Sequence, residues 1–583
     1  MYIDFILGNE AIALASVNMS IHSAYSYPGT PASEILPAIN RFGNGKVYTQ
    51  WSANEAVAME IAAAEAISGR YSLCSMKQVG LNVAADPLFS VAYTGITGSL
   101  VIVSADDPEL NSSQTAQDSR MYAYMAGIPV FDPSNPRDAY KLTCEAINMS
   151  RNFEVPVMVR PVEKVCHSRQ SMEIDVNYCL REHNGFSKNI ERWAATPIQR
   201  RSLKEILFRK HKIIAESYYS FKADEKNKKL IIATGHPFAV VSDIMVKMDE
   251  MDKKGCSLLK LDLVYPLASS YIESILNNYE EILILEETYP LVELQFSDRK
   301  KVKGRLNNFY DAAKFLSIDY IDGIVCKFLN IKKNVYVNIE NNKKNKTEKP
   351  KLCPGCPHRG SFYAIKMAFK DAIYAGDIGC YTLGINLKAL DTCICMGASI
   401  SFSEGLKRVN DNKVVVAIIG DSTFFHTGIP PLINAYVNNV PVVICILDNM
   451  TTAMTGFQAV PHEEDVVLIE RLVKAIGINF IKVLDPFNIS EATNTLKDAH
   501  AFSNSCKKPS VVIFRRGCVL KEKTMFNRYV EITDKCINCG RCYKLFGCPA
   551  ITCKGSVVSI DKNLCINCGL CVSVCPEGAI VEI

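Results

Sequence analysis

Two groups of residues could do chemistry. The first lies in VVVAIIGDSTFFHTGIPPLINAYVNNVPVVICILDNMTTAMTGFQ, residues 414–458, where Gly420-Asp421-Ser422 closes one β-branched apolar run and Asp448-Asn449-Met450-Thr451 closes another. A hard cation such as Mg²⁺ takes octahedral oxygen donors, phosphate oxygens among them. The Asp421 carboxylate, the Asn449 amide and the Thr451 carbonyl could supply the protein's share, and Gly420, beside Ser422, permits a diphosphate to approach the backbone. The plainer alternative is an aspartate that caps the following helix. The second group is cysteine. The tail reads Cys536-x₂-Cys539-x₂-Cys542-x₅-Cys548-Pro549 and then Cys565-x₂-Cys568-x₂-Cys571-x₃-Cys575-Pro576. Three close thiolates wrap one face of a 4Fe–4S cubane while the fourth, beside its proline, reaches the other cluster. That spacing assigns Cys536, Cys539, Cys542 and Cys575 to one 4Fe–4S centre, and Cys565, Cys568, Cys571 and Cys548 to its neighbour. A pair of zinc sites would have no use for the repeated Cys-Pro.

These residues need elements to hold them. Val414–Ile419 and Val440–Leu447 are too short for buried helices and read as buried parallel strands, joined by a crossover helix over Pro431–Asn438. Open α/β sheets bind ligands at the carboxyl ends of such strands. Toward the amino terminus, short apolar runs (Tyr2–Leu7, Val47–Gln50, Leu100–Ser104, Val155–Val159) alternate with helical ones (Ala11–Val17, Asn54–Ser68, Pro136–Ser150), which predicts a doubly wound domain over 1–185. Residues 186–228 are charge-rich and weakly patterned and read as a connecting segment. Strands at Lys229–Ala233, Leu258–Leu263 and Glu281–Glu286 predict a second α/β domain over 229–335. The polar run NNKKNKTEKPK predicts an exposed linker, placed at 336–350. A third α/β domain then covers 351–525, and 526–583 forms a small cysteine-rich domain.

Composition narrows the classes. A chain of 583 residues with 48% hydrophobic content can build several cores, and a net charge of +4 leaves no nucleic-acid footprint. The start, MYIDFILGNEAIA, has no basic n-region, and no run of eighteen apolar residues occurs, so a soluble cytoplasmic protein without a membrane partner is expected. The twenty-three cysteines then read as thiolate ligands in a reducing compartment, not as disulfides.

Gly420-Asp421 followed at this interval by Asn449 resembles the motif that holds Mg²⁺ against thiamine diphosphate. GNEAIA, YPGTPASEI, WSANEAVAMEIAAA, GLNVAADP, ADDPELNSSQTAQDSR, CPGCPHR, GDIGCYTLG, DTCICMGAS and GDSTFFHTGI are similar to stretches of the alpha subunit of indolepyruvate:ferredoxin oxidoreductase. With the tail, the resemblance covers essentially the whole chain. It implies a multidomain α/β fold: two doubly wound thiamine-diphosphate-binding domains, a transketolase C-terminal-like domain over 229–335 and a two-cluster ferredoxin domain. It also implies that Glu55 hydrogen-bonds the pyrimidine ring of the cofactor, sharing a proton with a ring nitrogen. The bland role of Glu55 is to complement a helix dipole, worth about 0.3–1 kcal/mol. Thr30 resembles the family threonine near the substrate carboxylate; its alternative is a helix cap before Glu34.

The reaction so implied is oxidative decarboxylation of an arylpyruvate, such as indolepyruvate or phenylpyruvate, to an aryl-acetyl-CoA with reduction of ferredoxin. Pyruvate or branched-chain 2-oxo acids as substrates, and a non-oxidative decarboxylase, are the alternatives. The partners implied are a smaller beta subunit in a higher hetero-oligomer, ferredoxin, CoA and the 2-oxo acid. Related enzymes hold a further 4Fe–4S cluster beside the thiamine, and Cys353, Cys356, Cys380 and Cys518 match its ligands in order. Cys393 and Cys395 could replace one of them but are expected to be buried. Two departures stand out. Phe457-Gln458-Ala459-Val460-Pro461-His462 replaces a tighter family turn, which bears on the substrate pocket, and Gln78 stands where a histidine is usual. His236 reads as a turn residue rather than a ligand, while His358 and His426 read as structural partners as readily as polar groups near the cofactor.

Overall fold

In the computed structural model, residues 2–194, 196–219, 227–249, 255–331, 350–463, 466–524 and 526–583 are described. They belong to two compact units, Met1–Lys343 and Lys344–Ile583. The first is built on a seven-stranded sheet in the order Leu263–Tyr265, Val130–Phe131, Val157–Val159, Ser99–Ala105, Tyr71–Lys77, Ser23–Ser26, Tyr48–Trp51. All of these pairings are parallel except that of Leu263–Tyr265 on Val130–Phe131. Helices cover both faces, so a central strand such as Ser99–Ala105 is buried at every residue.

Several elements differ from the sequence reading, each for a physical reason. Tyr2–Leu7 is a strand, but it pairs antiparallel with Arg169–Ile174 outside the main sheet and leaves Ile3 and Phe5 exposed. Ser23–Ser26 and Tyr71–Lys77 are central strands that their serines disguise. These hydroxyls look solvent-facing, yet Ser26 Oγ donates to the Ser75 carbonyl and Ser72 Oγ to the Ala62 carbonyl, both at 2.7 Å. Within 186–228, Pro197–Tyr218 is a 22-residue helix that buries only Leu207, Ile214 and Ala215, too thin a stripe to show as a period.

A second sheet of this unit runs Cys256–Leu261, Lys229–Thr234, Glu281–Leu285, Val302–Lys303, all parallel. The strand expected as Leu258–Leu263 is therefore broken at Asp262. Cys256–Leu261 stays here, and Leu263–Tyr265 crosses to the edge of the first sheet. Buried charges also join the two sheets. Arg120 Nη1 meets Glu286, just after Glu281–Leu285, at 3.2 Å, and on the first-sheet side Arg120 meets Asp118 at 2.7 Å and Arg160 Nε meets Asp106 at 2.6 Å, all on side chains at most 1% exposed.

The second unit carries a six-stranded parallel sheet in the order Thr392–Cys393, Ile373–Gly376, Val415–Gly420, Val443–Asp448, Ser510–Arg515, Ile481–Leu484. From Ile373–Gly376 the chain moves to one side, then returns past it to Val415–Gly420 and continues the other way. That reversal is where such sheets open a crevice at their carboxyl ends. The helix after Asp421 is Ile429–Val437, preceded by a wide turn at Phe424–Gly428. The cysteine-rich tail adds the hairpin Ile551–Lys554 with Val557–Ile560 and pairs Val530–Ile532 with Ile580–Glu582. Its Phe546, Leu570 and Val574 share one core with Phe362 and Tyr363 of the preceding domain.

Candidate functional site

Asp421 is the residue immediately after Val415–Gly420 and is buried. Gly420 lets the chain pass close to Tyr381, since a Cβ there would lie 2.1 Å from the Tyr381 ring. One strand over, Val443–Asp448 runs into a turn in which Met450 takes φ 59°, a conformation that holds Asn449 and Thr451 toward Asp421. The Asn449 amide oxygen faces only acceptors, the Thr451 carbonyl at 2.9 Å and Asp421 Oδ1 at 3.3 Å; turned over, its nitrogen would donate to both. Asp421 Oδ2 is buried without a hydrogen-bond partner. Carboxylate, amide and carbonyl thus converge at one point, and the unpartnered Asp421 Oδ2 leaves acceptor capacity there that fits a divalent cation. Ser422 lies at the same turn, its Oγ accepting from Thr452 Oγ1 at 3.0 Å.

Behind this cradle stands a charged relay that the sequence did not reveal. His462 Nε2 donates to Asp448 Oδ1 at 2.7 Å and lies 3.5 Å from Asp421 Oδ2. Arg515 Nε donates to Asp448 Oδ2 at 2.6 Å, and its two terminal nitrogens grip Glu470 at 3.1 and 2.8 Å. Burial pushes the Asp421 carboxyl up to about 7, and the facing Asp448 carboxylate adds to that against the pull of His462. Burial also resists ionisation of Asp448, but the bonds from His462 and Arg515 overcome it and hold that carboxyl below its usual range. His462 therefore arrives from the turn that departs from the family pattern, and its ring stacks on Phe425. Asp448, Glu470 and Arg515 come from three separated segments, so no local spacing announces them.

In the first unit, Glu55 is the first residue of the helix Glu55–Ile67, whose N-cap Asn54 accepts from the Val57 amide at 3.0 Å. Its carboxyl is buried and occupies the space that Gly80 leaves, because a Cβ on Gly80 would lie 2.4 Å from Glu55 Oε1. Thr30 lies in the turn after Ser23–Ser26, where its carbonyl accepts from Ser112 Oγ at 3.3 Å. Lys77 Nζ donates to the Ser112 carbonyl at 2.6 Å, and burial lowers its pKa to about 8. Gln78, in the place of the usual histidine, accepts from the Asp107 amide at 2.7 Å.

The cysteines fall into three groups in the second unit. Cys536, Cys539, Cys542 and Cys575 line one small cavity, and Cys548, Cys565, Cys568 and Cys571 line another together with Pro354 and Gly355. Cys353, Cys356, Cys380 and Cys518 form the third. Burial pushes the Cys380 thiol up to about 11, with Cys518, Cys353 and Asp421 as near neighbours able to carry negative charge, and pushes Cys356 up to about 12, with Cys353 and Cys380 beside it. The Cys518 amide donates to the Asn449 carbonyl at 3.2 Å, which ties this group to the cradle. Cys393 is half-buried and Cys395 is exposed, contrary to the expectation for both, because Thr392–Cys393 is the edge strand of its sheet and the chain just beyond it is open to solvent. His358 is buried, with its pKa lowered to about 4 by desolvation, and His426 lies against Thr427. His236 is the second residue of the helix Gly235–Lys247.

Comparison with known proteins adds independent findings. Residues 14–229 match the family model described as pyruvate flavodoxin/ferredoxin oxidoreductase, thiamine diP-bdg, and residues 377–514 match the thiamine pyrophosphate enzyme C-terminal TPP binding domain. Two 4Fe-4S binding domain models match 533–551 and 558–581. The chain is 36% identical to indolepyruvate oxidoreductase subunit IorA of Archaeoglobus fulgidus over 99% of its own length and 97% of that protein's. It is 33% identical to the subunit of the same name from Pyrococcus horikoshii, over 99% and 96% of the two chains. A 2-oxoglutarate synthase subunit KorA of Archaeoglobus fulgidus is 27% identical over 33% of this chain and 57% of its own. Among the described residues, no helix is long and apolar enough to cross a membrane.

Proposed function

The chain belongs to the indolepyruvate oxidoreductase IorA family of thiamine-diphosphate-dependent 2-oxoacid:ferredoxin oxidoreductases, and from that premise we propose that it oxidises arylpyruvates, indolepyruvate and phenylpyruvate, to aryl-acetyl-CoA. The observation that carries the reading is the convergence of Asp421, Asn449 and the Thr451 carbonyl at parallel strand ends, beside a group of four cysteines. Those three oxygens would hold Mg²⁺ against the cofactor's diphosphate, with Gly420 and Ser422 lining its approach. Glu55 would bond the pyrimidine ring, and Thr30 would lie near the substrate carboxylate. When bound, thiamine diphosphate supplies the electron sink that lets a 2-oxo acid lose carbon dioxide. The Asp448–His462–Arg515–Glu470 relay holds the turn that carries Asn449 and Thr451, so the donor set is positioned before a cation arrives.

Cys353, Cys356, Cys380 and Cys518 would hold a first 4Fe–4S cluster close to the cradle. The set Cys548, Cys565, Cys568 and Cys571 would hold a second, and Cys536, Cys539, Cys542 and Cys575 a third. The segments divide the work as 1–185 and 351–525 for thiamine, 229–335 for the transketolase C-terminal-like domain and 526–583 for the two tail clusters. Residues 186–228 connect the first pair of domains, and 336–350, largely outside the described residues, is the linker. The working enzyme pairs this chain with a beta subunit in a hetero-oligomer, in the cytoplasm, and passes electrons to ferredoxin.

A purified complex assayed with each 2-oxo acid, CoA and a viologen acceptor tests the substrate. Aryl substrates should be turned over with higher kcat/KM than pyruvate, branched-chain acids or 2-oxoglutarate, and acyl-CoA should form in step with acceptor reduction. Equal or better use of pyruvate would reject the arylpyruvate assignment, and stoichiometric aldehyde without acceptor reduction would reject oxidative chemistry altogether.

A further inference from the structure

Arg359 is a buried guanidinium lodged between two groups of thiols. It ends the run Cys353-Pro-Gly-Cys356-Pro-His358-Arg359 and is 2% exposed. One terminal nitrogen donates to the carbonyls of Phe546, at 3.0 Å, and Gly547; the other donates to Leu352, at 2.5 Å, and Cys353, at 3.4 Å. Its Nε has no hydrogen-bond partner. Among the described residues no carboxylate faces it, and its near neighbours able to carry negative charge are Cys356, Cys548, Cys353 and Cys568. Two of these belong to the group beside the cradle and two to the tail cavity of Cys548, Cys565, Cys568 and Cys571. The loops that carry them touch, since a Cβ on Gly355 would lie 2.2 Å from Ile566 Cδ1 and 3.6 Å from Cys568 Cβ.

A buried cation without a counter-charge is costly, and free thiols are neutral and cannot offset it. Thiolates ligating iron can. A 4Fe–4S centre bound by four thiolates is an anion that gains one negative charge on reduction, and its potential follows the charges and hydrogen bonds around it. A fixed positive charge between two such centres favours the reduced state of each.

We propose that Arg359 is the shared counter-charge of two adjacent clusters, one on Cys353, Cys356, Cys380 and Cys518 and the other on Cys548, Cys565, Cys568 and Cys571, and that it raises the reduction potential of both. When loaded, the two cysteine sets would supply one-electron transfer, and Arg359 would act as a positioning residue whose fixed charge sets both potentials. The assignment rests on the cluster reading given above.

The test uses the whole complex, with iron and acid-labile sulfide counted per chain and midpoint potentials read by EPR-monitored titration. Wild-type protein with about twelve irons per alpha chain supports the underlying reading, whereas about eight would defeat that reading and with it a shared role for Arg359. In Arg359→Gln, with iron content as in the wild type, the reduction equilibria of both centres should fall at least tenfold, about 59 mV for one electron. Arg359→Lys keeps the charge and should return both to within about threefold of wild type. Unmoved potentials in Arg359→Gln overturn the proposal, as does a lysine variant shifted as far as the glutamine one. If Arg359→Gln loads no iron, the lysine variant decides: it loses part of the carbonyl clamp, so a tenfold drop there means that the bonds matter and the charge does not.

Discussion

The carboxyl of Glu55 has room only because residue 80 is glycine: a Cβ there would lie 2.4 Å from Oε1 and 2.7 Å from Cγ. Gly80→Ala should therefore displace the carboxyl by about an ångström and lower kcat by about a hundredfold, while iron content stays at the wild-type value. Steady-state kinetics beside an iron assay checks this, and an unaltered kcat would remove Glu55 from any exacting role. The residues most legible in the sequence were those whose chemistry sits in a contiguous run. Asp421, Asn449 and Thr451 follow two apolar strands, and the tail cysteines carry their own spacing. His462, Asp448, Arg515 and Glu470 were not legible as a set, since each is an ordinary residue until the sheet brings separate strand ends together.

At the scale of elements, the two sheets of the first unit are pinned by buried charge. Burial pushes Glu286 and Glu287 each up to about 7, against the pull of Arg120 and Arg160. A carboxyl so raised keeps, in the folded chain, a proton that the unfolded chain releases near the ordinary 4.5. Its contribution to stability is thus fully present below about 4.5 and lost as pH climbs through about 7. Glu287→Gln cannot release that proton, so the variant should gain on wild type between pH 5 and pH 8 by on the order of 1–3 kcal/mol, read from denaturant midpoints. Parallel profiles would show that Glu287 is already ionised in the native state. Parallel strands rich in valine and isoleucine were readable from sequence, whereas Ser23–Ser26 and Tyr71–Lys77 were not, because hydroxyls satisfied by carbonyls imitate a wet surface.

For the molecule as a whole, the cysteine-rich tail is not a detachable appendage of the second unit. Phe546, Leu570 and Val574 are each 2% exposed and pack in the core that holds Phe362 and Tyr363. A chain ending at 525 would uncover that face, at roughly 1.5–3 kcal/mol for each large side chain lost. It should melt well below the full-length protein with a broadened transition in circular dichroism, and an unchanged melt would show the thiamine-type domain to be self-sufficient. A composition shift after Lys523 marks a change of chemistry, and shared packing across it leaves no trace in either stretch alone.

Leu263–Tyr265, lying antiparallel on Val130–Phe131, carries a consequence for biosynthesis. The ribosome emits the rest of that seven-stranded sheet long before it reaches this last rung. At about 5–20 residues per second, the nascent protein spends several seconds with the flank of Val130–Phe131 bare. During that interval the newborn chain offers an unpaired strand to any neighbour on the same polysome, and a chaperone that shields it would serve this protein until residue 265 has left the exit tunnel.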